Sequence, residues 1–384
     1  MNNFSFHNPT KILFGEGQIS ALTDLIPNDA RILLTYGSGS IKKNGVYDQV
    51  INALKGKVFF EFPGIEPNPH YETCQNAIAL IKEKQIDFLL AVGGGSVVDA
   101  TKLIAAGAEF EGEPWDILEK HAPVTSAMPL GCVLTLPATG TESNGNSVVT
   151  KAATQEKLSF GSPLVYPQFA ILDPTTTYSL PPRQISNGVV DAFVHIMEQY
   201  LTYPVNAKVQ DRFAEGLLLT LIEEGPKVLA QPNDYQIRAN VMWAATMALN
   251  GLIGVGVPQD WATHMIGHEL TAMHGLDHAQ TLAIVLPSVM NQQREQKREK
   301  LIQYGKRVWN LSNENDDKLI DAAIAATKNF FEQMGVPTSF KGYGLDGSSI
   351  PALVENVIRH NPNPLGEKSD ITAEVTRKIL QAAA

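Results

Sequence analysis

The class of fold is indicated most clearly by residues 88–99, Phe-Leu-Leu-Ala-Val-Gly-Gly-Gly-Ser-Val-Val-Asp. In this segment a short apolar run passes through three glycines into a helix-forming stretch. An apolar run of this length that ends in glycine is typical of a buried parallel strand. Three more runs of this kind lie at residues 31–35, 132–136 and 169–172. Helix-length segments such as residues 72–85 separate them, and this alternation predicts an α/β domain built on a parallel sheet.

The composition of the chain changes near the segment Thr175-Thr-Thr-Tyr-Ser-Leu-Pro-Pro182, after which Ala, Leu, Glu and Lys are frequent. Helices are predicted at residues 188–201, 207–223, 235–250 and 317–334. Helix-start signals follow at Ser349, two residues before Pro351, and at Asp370. We therefore predict a Rossmann-like α/β dinucleotide-binding domain over residues 1–180 and an all-helical domain over residues 181–384.

Length and composition are those of a globular protein with more than one domain. The chain has 384 residues, of which 44% are hydrophobic and 18% are charged, and a single core rarely grows past roughly 250–300 residues. The net charge of −10 argues against nucleic acid as a partner, since phosphates repel an acidic chain. The mixed-charge run at 294–307 is expected to be the solvated face of a helix.

The cytoplasm is the expected compartment. The first residues lack the basic and apolar regions of a signal peptide, and no apolar run approaches the roughly 18 residues that cross a membrane, so no membrane partner is expected. The two cysteines, Cys74 and Cys132, lie among apolar neighbours and are predicted to be core thiols.

Histidines cluster in the predicted helical domain. Nine occur in the chain, and four of them fall within fifteen residues, at His264, His268, His274 and His278. A fifth, His195, follows Asp191 by four residues, and this spacing places both side chains on one face of a helix. An aspartate with several neutral imidazoles suits a divalent ion such as zinc or iron(II). Spacing does not choose among the four clustered histidines, because they form two i,i+4 pairs.

Two glycine-rich turns indicate a nucleotide site, although the GxGxxG fingerprint is absent. The turn at 93–96 opens a helix, where glycines and free backbone N–H groups can approach a phosphate, and Asp99 is expected to accept hydrogen bonds from loop amides. Gly37-Ser-Gly-Ser40 follows the first predicted strand. No acid in this turn could hold a ribose 2′-hydroxyl, and Lys42 and Lys43 follow it, so NADP(H) is the predicted cofactor.

Four motifs together resemble the iron-containing (group III) alcohol dehydrogenases. They are Gly-Gly-Gly-Ser-Val-Val-Asp at 93–99, Leu-Pro-Ala-Thr-Gly-Thr-Glu-Ser-Asn at 136–144, Asn-Gly-Val-Val-Asp-Ala-Phe-Val-His at 187–195, and His-Met-Ile-Gly-His at 264–268 with His278. The resemblance covers essentially the whole chain. Within the family it is strongest to the bacterial branch of NADPH-dependent, broad-specificity aldehyde reductases and butanol dehydrogenases.

The resemblance implies the fold shared by dehydroquinate synthase and the iron-dependent alcohol dehydrogenases, and it implies roles for particular residues. The implied metal ligands are Asp191, His195, His264 and His278. His268 is implied to be a catalytic group, a proton relay or positioning residue near the nicotinamide, whereas His274 stays outside the ligand set. The implied cofactor contacts are Gly37, Ser38, Gly39, Ser40, Gly94, Gly95, Ser96, Asp99, Thr135, Thr139, Asn144, Lys157 and Thr176.

The implied activity is the reversible, NADPH-dependent reduction of aldehydes to primary alcohols. Hydride transfer would be assisted by one divalent ion, zinc or iron, that acts as a Lewis acid on the carbonyl. Small aldehydes and alcohols are the expected substrates. A homodimer is also implied, with residues 2–14 as an edge strand that Pro9 interrupts.

Other activities are alternatives to aldehyde reduction. An NAD-dependent polyol dehydrogenase of the glycerol type is the main alternative on the same fold. A cyclase like dehydroquinate synthase would need a basic cluster beside the histidines, and a metallohydrolase would need the glutamate of an HExxH motif; the sequence has neither. A metal-binding protein without enzymatic activity would not need the glycine-rich turns.

Overall fold

The computed structural model describes residues 1–384, which form two compact units. The sheet unit comprises His7–Pro181 and Pro232–Met242, and the helical unit comprises Met1–Phe6, Pro182–Gln231 and Trp243–Ala384. Two segments lie outside the units to which the predicted domains, 1–180 and 181–384, would assign them. The first six residues lie in the helical unit, and residues 232–242 lie in the sheet unit.

Eight strands lie in the sheet unit. Their bounds are β1 (Lys11–Phe14), β2 (Arg31–Tyr36), β3 (Val58–Phe62), β4 (Phe88–Gly94), β5 (Leu130–Leu136), β6 (Asn146–Lys151), β7 (Glu156–Gly161) and β8 (Phe169–Leu172). Six of them form a parallel sheet in the order β1-β8-β5-β4-β2-β3, and β6 and β7 form an antiparallel hairpin. The strands predicted at 31–35, 88–92, 132–136 and 169–172 are therefore confirmed.

The sequence does not predict the edge strands β1 and β3, because they are short and half exposed. β1 and β3 have only exposed and partly buried residues and none that is fully buried, which weakens the apolar signal. The expectation of an edge strand over residues 2–14 is wrong for most of that segment, since only Lys11–Phe14 is a strand and it pairs in parallel with β8 of the same chain. β1 is nevertheless an edge of the sheet.

Five helices accompany the sheet: α1 (Leu22–Leu25), α2 (Val46–Ala53), α3 (Tyr71–Lys84), α4 (Gly95–Ala108) and α5 (Asp116–Glu119). Alternate side chains of a central strand enter two separate apolar cores, as the period of a strand requires. From β4, Leu89 packs in a core that contains Ile78 of α3, whereas Leu90 packs in a core that contains Val50 of α2. The sheet is thus buried on both faces, which explains the near-continuous apolar runs of its inner strands.

The other helices are α6 (Pro182–Tyr200), α7 (Lys208–Ala230), α8 (Tyr235–Leu249), α9 (Ala262–His274), α10 (His278–Gln292), α11 (Arg298–Arg307), α12 (Asp316–Gln333), α13 (Ile350–His360) and α14 (Ala373–Ala383). All lie in the helical unit except the first half of α8. In α6 every residue from 188 to 200 is buried, so this helix is surrounded by protein. A Rossmann-like α/β unit with a helical unit confirms the predicted fold class.

Burial tests two further expectations. Cys74 and Cys132 are both buried and free, as predicted. The solvated face expected at 294–307 is wrong in part, because Lys297 is 3% exposed and pairs with Asp260 and Glu367, each at 2.7 Å. No helix is long and apolar enough to cross a membrane.

A buried lysine fastens α4 to the segment that follows β5. The Nζ of Lys102 donates to Thr141 Oγ1 at 2.7 Å and to the carbonyl oxygens of Asn144 and Asn146 at 2.8 and 2.7 Å. Asp99, one turn earlier on α4, accepts from the Thr141 hydroxyl at 2.5 Å. Burial lowers the pKa of Lys102 to about 8.

We predict that Lys102→Met lowers the free energy of unfolding by about 3 kcal/mol at pH 7, because it leaves buried carbonyl oxygens without a donor. The difference between the wild type and the variant should grow from pH 8 to pH 10. In that range the folded wild type releases the Lys102 proton, while the unfolded chain, with its ordinary lysine pKa of 10.5, keeps it. Urea unfolding at several pH values measures this, and a difference that is constant with pH would contradict the assignment.

Candidate metal centre and cofactor turns

One face of α6 carries the polar residues on which the candidate centre is built. Asn187, Asp191, His195 and Glu198 follow one another at spacings of four, four and three, so they form a single stripe along the helix. Asp191, His195 and Glu198 are each less than 5% exposed. The two middle residues are predicted metal ligands, and the two outer ones contact the helices that bring the remaining ligands.

Three carboxylate contacts define the start of α9. The Oδ1 of Asp260 accepts the N–H of Ala262 at 2.9 Å, and the Oε1 of Glu198 accepts the N–H of Thr263 at 2.6 Å. The Oε2 of Glu198 accepts the N–H of His264 at 3.3 Å. Trp261, just before the helix, has a φ of 70°, in the left-handed region that favours glycine. These contacts satisfy backbone N–H groups that a helix start leaves free, and they fix the position of His264.

A capping box fixes the start of α10, whose first residue is His278. The side chain of Asp277 accepts from the backbone of Gln280, and the side chain of Gln280 in turn accepts the N–H of Asp277 at 3.0 Å. The amide of Asn187 donates to Oδ2 of Asp277 at 2.7 Å. The first residue of the α6 stripe thereby sets the place of His278.

The structure brings the four predicted ligands together. One ligand atom from each of Asp191, His195, His264 and His278 lies within 4.8 Å of all the others. The Nε2 atoms of His195 and His264 are 3.0 Å apart, and the Nε2 of His278 is 3.7 Å from Oδ1 of Asp191. Such a convergence of nitrogen and oxygen atoms has the size and the composition of a site for one divalent ion.

The protonation state of His195 also suits a metal. Burial, and then the neighbouring His264, lower the pKa of His195 well below its ordinary value of 6.5. The imidazole is therefore neutral at physiological pH and can offer a lone pair, which metal binding requires. The residues present thus fit zinc or iron(II), and Asp191, His195, His264 and His278 would hold the ion.

The other two clustered histidines have different surroundings. His268, one turn after His264 on α9, is buried, and its ring centroid is 5.4 Å from that of His278. His274 ends α9, and its Nε2 is 2.9 Å from the hydroxyl oxygen of Ser349. Gly275, with a φ of 68°, ends the helix after His274, so the two i,i+4 pairs seen in the sequence do not share one helix. His274 stays outside the cluster.

The predicted cofactor residues lie in the sheet unit. Most follow the carboxyl ends of β2, β4, β5 and β8, the end at which parallel sheets bind nucleotides. Gly37, Ser38, Gly39 and Ser40 follow β2; Gly94 ends β4, and Gly95, Ser96 and Asp99 begin α4; Thr135, Thr139 and Asn144 are in or after β5; Thr176 follows β8; and Lys157 is on β7. Their arrangement is compatible with a phosphate-binding edge, and their contact with the cofactor stays a prediction.

Close packing explains one of these glycines. A Cβ on Gly95 would lie 2.5 Å from Oγ1 of Thr139, so only glycine lets the two turns approach each other. Asp99 accepts the N–H of Val148 at 3.1 Å, as expected of a residue that fixes loop amides. The hydroxyl of Thr176 donates to the carbonyl of Leu134 at 3.1 Å, and Nζ of Lys157 donates to Oδ1 of Asn68 at 2.8 Å.

The Gly37–Ser40 turn contains no acid, as the sequence indicates, but an acid from another strand contacts Tyr36 and Lys42 on either side of it. Glu61 on β3 accepts from Nζ of Lys42 at 3.1 Å and from the hydroxyl of Tyr47 at 2.6 Å, and it also contacts the hydroxyl of Tyr36. Partial burial raises the pKa of Glu61, but the hydrogen bonds from these three groups outweigh it and leave the pKa below its ordinary value. Lys42 is therefore paired rather than free.

Sequence reasoning missed several residues that shape these sites. Glu198 continues the helical spacing of Asp191 and His195 by one more turn, so extending that pattern would have found it. Glu61 lies on an edge strand that the apolar pattern does not reveal. No sequence signal pairs Asn187 with Asp277, which are 90 residues apart.

Comparisons with known proteins identify the family of this chain. A family model described as iron-containing alcohol dehydrogenase matches residues 9–174, and one described as the C-terminal part of the Fe-containing alcohol dehydrogenase family matches residues 185–384. The chain belongs to the iron-containing alcohol dehydrogenase family. The resemblance seen in the motifs is thereby confirmed.

Individual relatives cover the whole chain. The NADPH-dependent aldehyde reductase YqhD of Escherichia coli is 63% identical over 386 residues, with 100% of both chains covered. The crystal structure of that protein superposes with a TM-score of 0.99 over 100% of this chain and 99% of the other. A crystal structure of the NADH-dependent butanol dehydrogenase A of Thermotoga maritima, 38% identical, gives a TM-score of 0.97 over 100% and 99%. The probable NADH-dependent butanol dehydrogenase 1 of Bacillus subtilis is 39% identical over 100% of both chains.

We predict that His195→Ala lowers the affinity for zinc or iron(II) by more than about 100-fold, because it removes a ligand. His268→Ala should keep the metal, since His268 is not one of the four converging residues. Metal analysis of the purified proteins, after dialysis against a weak chelator, checks both. A His195→Ala protein that keeps its metal, or a His268→Ala protein that loses it, would contradict the ligand set.

Proposed function

We propose that this chain reduces small aldehydes to primary alcohols, reversibly, with hydride from NADPH and with one divalent ion, zinc or iron(II), as a Lewis acid. The convergence of Asp191, His195, His264 and His278 is the observation that carries the proposal. The 63% identity to the Escherichia coli NADPH-dependent aldehyde reductase over full length supports the substrate class and the cofactor.

The bound ion would supply charge stabilisation at the carbonyl oxygen, and the nicotinamide would supply the hydride. The four ligand residues would hold the ion. Asp191, His195 and His264 are buried, and this burial strengthens electrostatic interactions at the site. A proton must reach the product oxygen. His268 is proposed to assist its delivery, because it is a buried imidazole beside His278.

The preference for NADPH over NADH is also a proposal, since relatives at 39% identity or less include enzymes named as NADH-dependent. Small side chains at Ser38 and Ser40 leave room beside the turn, and both residues are exposed. The positive charge of Lys42 offsets the negative charge of Glu61, so the turn does not repel a 2′-phosphate.

A homodimer is proposed for the assembled enzyme. Its support is a set of exposed apolar side chains in the helical unit, on the N-terminal arm and on α7: Met1, Phe4, Phe6, Val209 and Phe213. The arm and α7 both contact the segment around residues 251–257, through the N–H of Asn2 to the carbonyl of Gly256 and through the amide of Gln210 to the carbonyl of Leu252. Apolar surface of this kind is typical of contacts between chains.

The reaction is tested by following the oxidation of reduced nicotinamide with butanal, using NADPH and NADH in parallel. The account predicts turnover that favours NADPH, that is lost on chelation, and that returns when zinc or iron(II) is added. Loss of activity in air would favour iron, and indifference to air would favour zinc. Turnover only with NADH and glycerol would replace the proposal with a polyol dehydrogenase, and absence of turnover with either nucleotide would refute it.

Cofactor preference has a paired test in the Lys42–Glu61 ion pair. Lys42→Met should raise the KM for NADPH roughly tenfold, because the unpaired Glu61 carboxylate then repels the 2′-phosphate. Glu61→Gln should leave the KM for NADPH equal or lower, since it removes that negative charge. The KM for NADH should change little in both variants. Equal changes for both nucleotides would show that the pair does not sense the 2′-phosphate.

A further inference from the structure

Glu198 has no role in the proposed function, yet it is a buried acid next to the candidate metal centre. It is 3% exposed and lies on the same face of α6 as Asp191 and His195. Its carboxylate is not one of the four converging ligand groups. A buried carboxylate is costly unless strong donors satisfy it, so the identity of its donors shows what it does.

The first turn of α9 supplies donors to this carboxylate. The N–H of Thr263 donates to Oε1, and the N–H of His264 donates to Oε2. The Nδ1 of the His264 ring also contacts Oε2. Glu198 therefore binds both the backbone and the side chain of His264, from a different helix.

The ring contact determines which nitrogen of His264 is available to an ion. A neutral imidazole carries one hydrogen, and a carboxylate at Nδ1 holds that hydrogen there. The lone pair is then on Nε2, the atom that lies 3.0 Å from Nε2 of His195. The orientation of the ring thus directs the free nitrogen into the cluster.

We propose that Glu198 is a positioning residue for the metal centre: it holds His264 with its hydrogen on Nδ1 and fastens α9 to α6, so that ligands from two helices reach one ion. This inference rests on the proposed metal-dependent function. A carboxylate that orients a metal-bound imidazole commonly changes metal affinity by about 10- to 100-fold when it is removed.

The segment before α9 supports the same geometry. The N–H of Asp260 donates to the carbonyl of Glu198 at 2.9 Å, and Oδ2 of Asp260 pairs with the buried Lys297 at 2.7 Å. Lys297 in turn donates to the carbonyl of Leu201, just after α6, at 2.7 Å. The end of α6 and the start of α9 are therefore joined at several points, and Glu198 is the one that reaches the ligand ring.

A matched control lies on α9, the helix that carries His264. Glu269 is also 3% exposed, and its Oε1 is 2.7 Å from Nδ1 of His360, an imidazole outside the cluster. Glu269→Gln therefore makes the same chemical change to a buried carboxylate–imidazole pair. Its effect on folding should resemble that of Glu198→Gln, whereas its effect on the metal should not.

The test compares wild type, Glu198→Gln, Glu198→Asp and Glu269→Gln as full-length, metal-free proteins. Zinc and cobalt(II) affinities are measured by competition with a chelating dye, and the visible spectrum of the cobalt(II) form reports ligand geometry. Near-ultraviolet circular dichroism verifies folding. Glu198→Gln should weaken zinc binding by about 10- to 100-fold and change the cobalt spectrum, because the glutamine amide donates to Nδ1 and moves the hydrogen to Nε2. Glu198→Asp keeps the charge, so its zinc affinity should lie between the affinities of the wild type and of Glu198→Gln.

Several results would overturn the inference. One is a folded Glu198→Gln protein with wild-type zinc affinity and an unchanged cobalt spectrum; another is an equal loss of affinity in Glu269→Gln. A wild-type chain that binds no metal would instead refute the proposed function. If Glu198→Gln does not fold, nitrogen NMR of labelled histidine in the zinc-loaded wild type tests where the His264 ring carries its hydrogen. A hydrogen on Nε2 would overturn the assignment.

Discussion

Four electron-rich groups, three of them on buried residues, crowd together in the helical unit, and the surrounding helices are arranged to hold them. The ligand atoms of Asp191, His195, His264 and His278 lie within 4.8 Å of one another. Desolvated lone pairs and a buried carboxylate crowded together in this way are unfavourable in a low-dielectric interior. A cation would make the same set an attractive centre, and its binding would stabilise the fold of this unit.

A single buried helix organises that set. The stripe on α6 supplies two ligands from its middle, reaches α10 through Asn187 and Asp277 at one end, and reaches α9 through Glu198 at the other. Each outer contact satisfies or orients the first turn of the neighbouring helix, where backbone N–H groups need acceptors. The ligand geometry is thus set by helix starts rather than by loops, which gives more precise positioning of a functional site.

The sequence predicts the sheet and the ligand helix well because both produce strong periodic signals. Inner strands such as β4 are buried on both faces and are continuously apolar, whereas β3 is half exposed and is missed together with Glu61. Spacing alone does not separate His274 from His278; the structure does so through Gly275, which ends α9 between them. Charge alone marks Lys297 as a surface residue, but its partners Asp260 and Glu367 lie far away in the chain and become visible only after folding.

The central claim is that one divalent ion is bound by these four residues. A crystal structure of the protein, purified without added metal and measured with anomalous diffraction at the iron and zinc edges, tests it directly. The account predicts one anomalous peak per chain, about 2.0–2.2 Å from the ligand atoms of Asp191, His195, His264 and His278, and the edge at which it appears identifies the metal. A peak bound by other residues, or a well-ordered cluster with no peak in an active crystal, would contradict it.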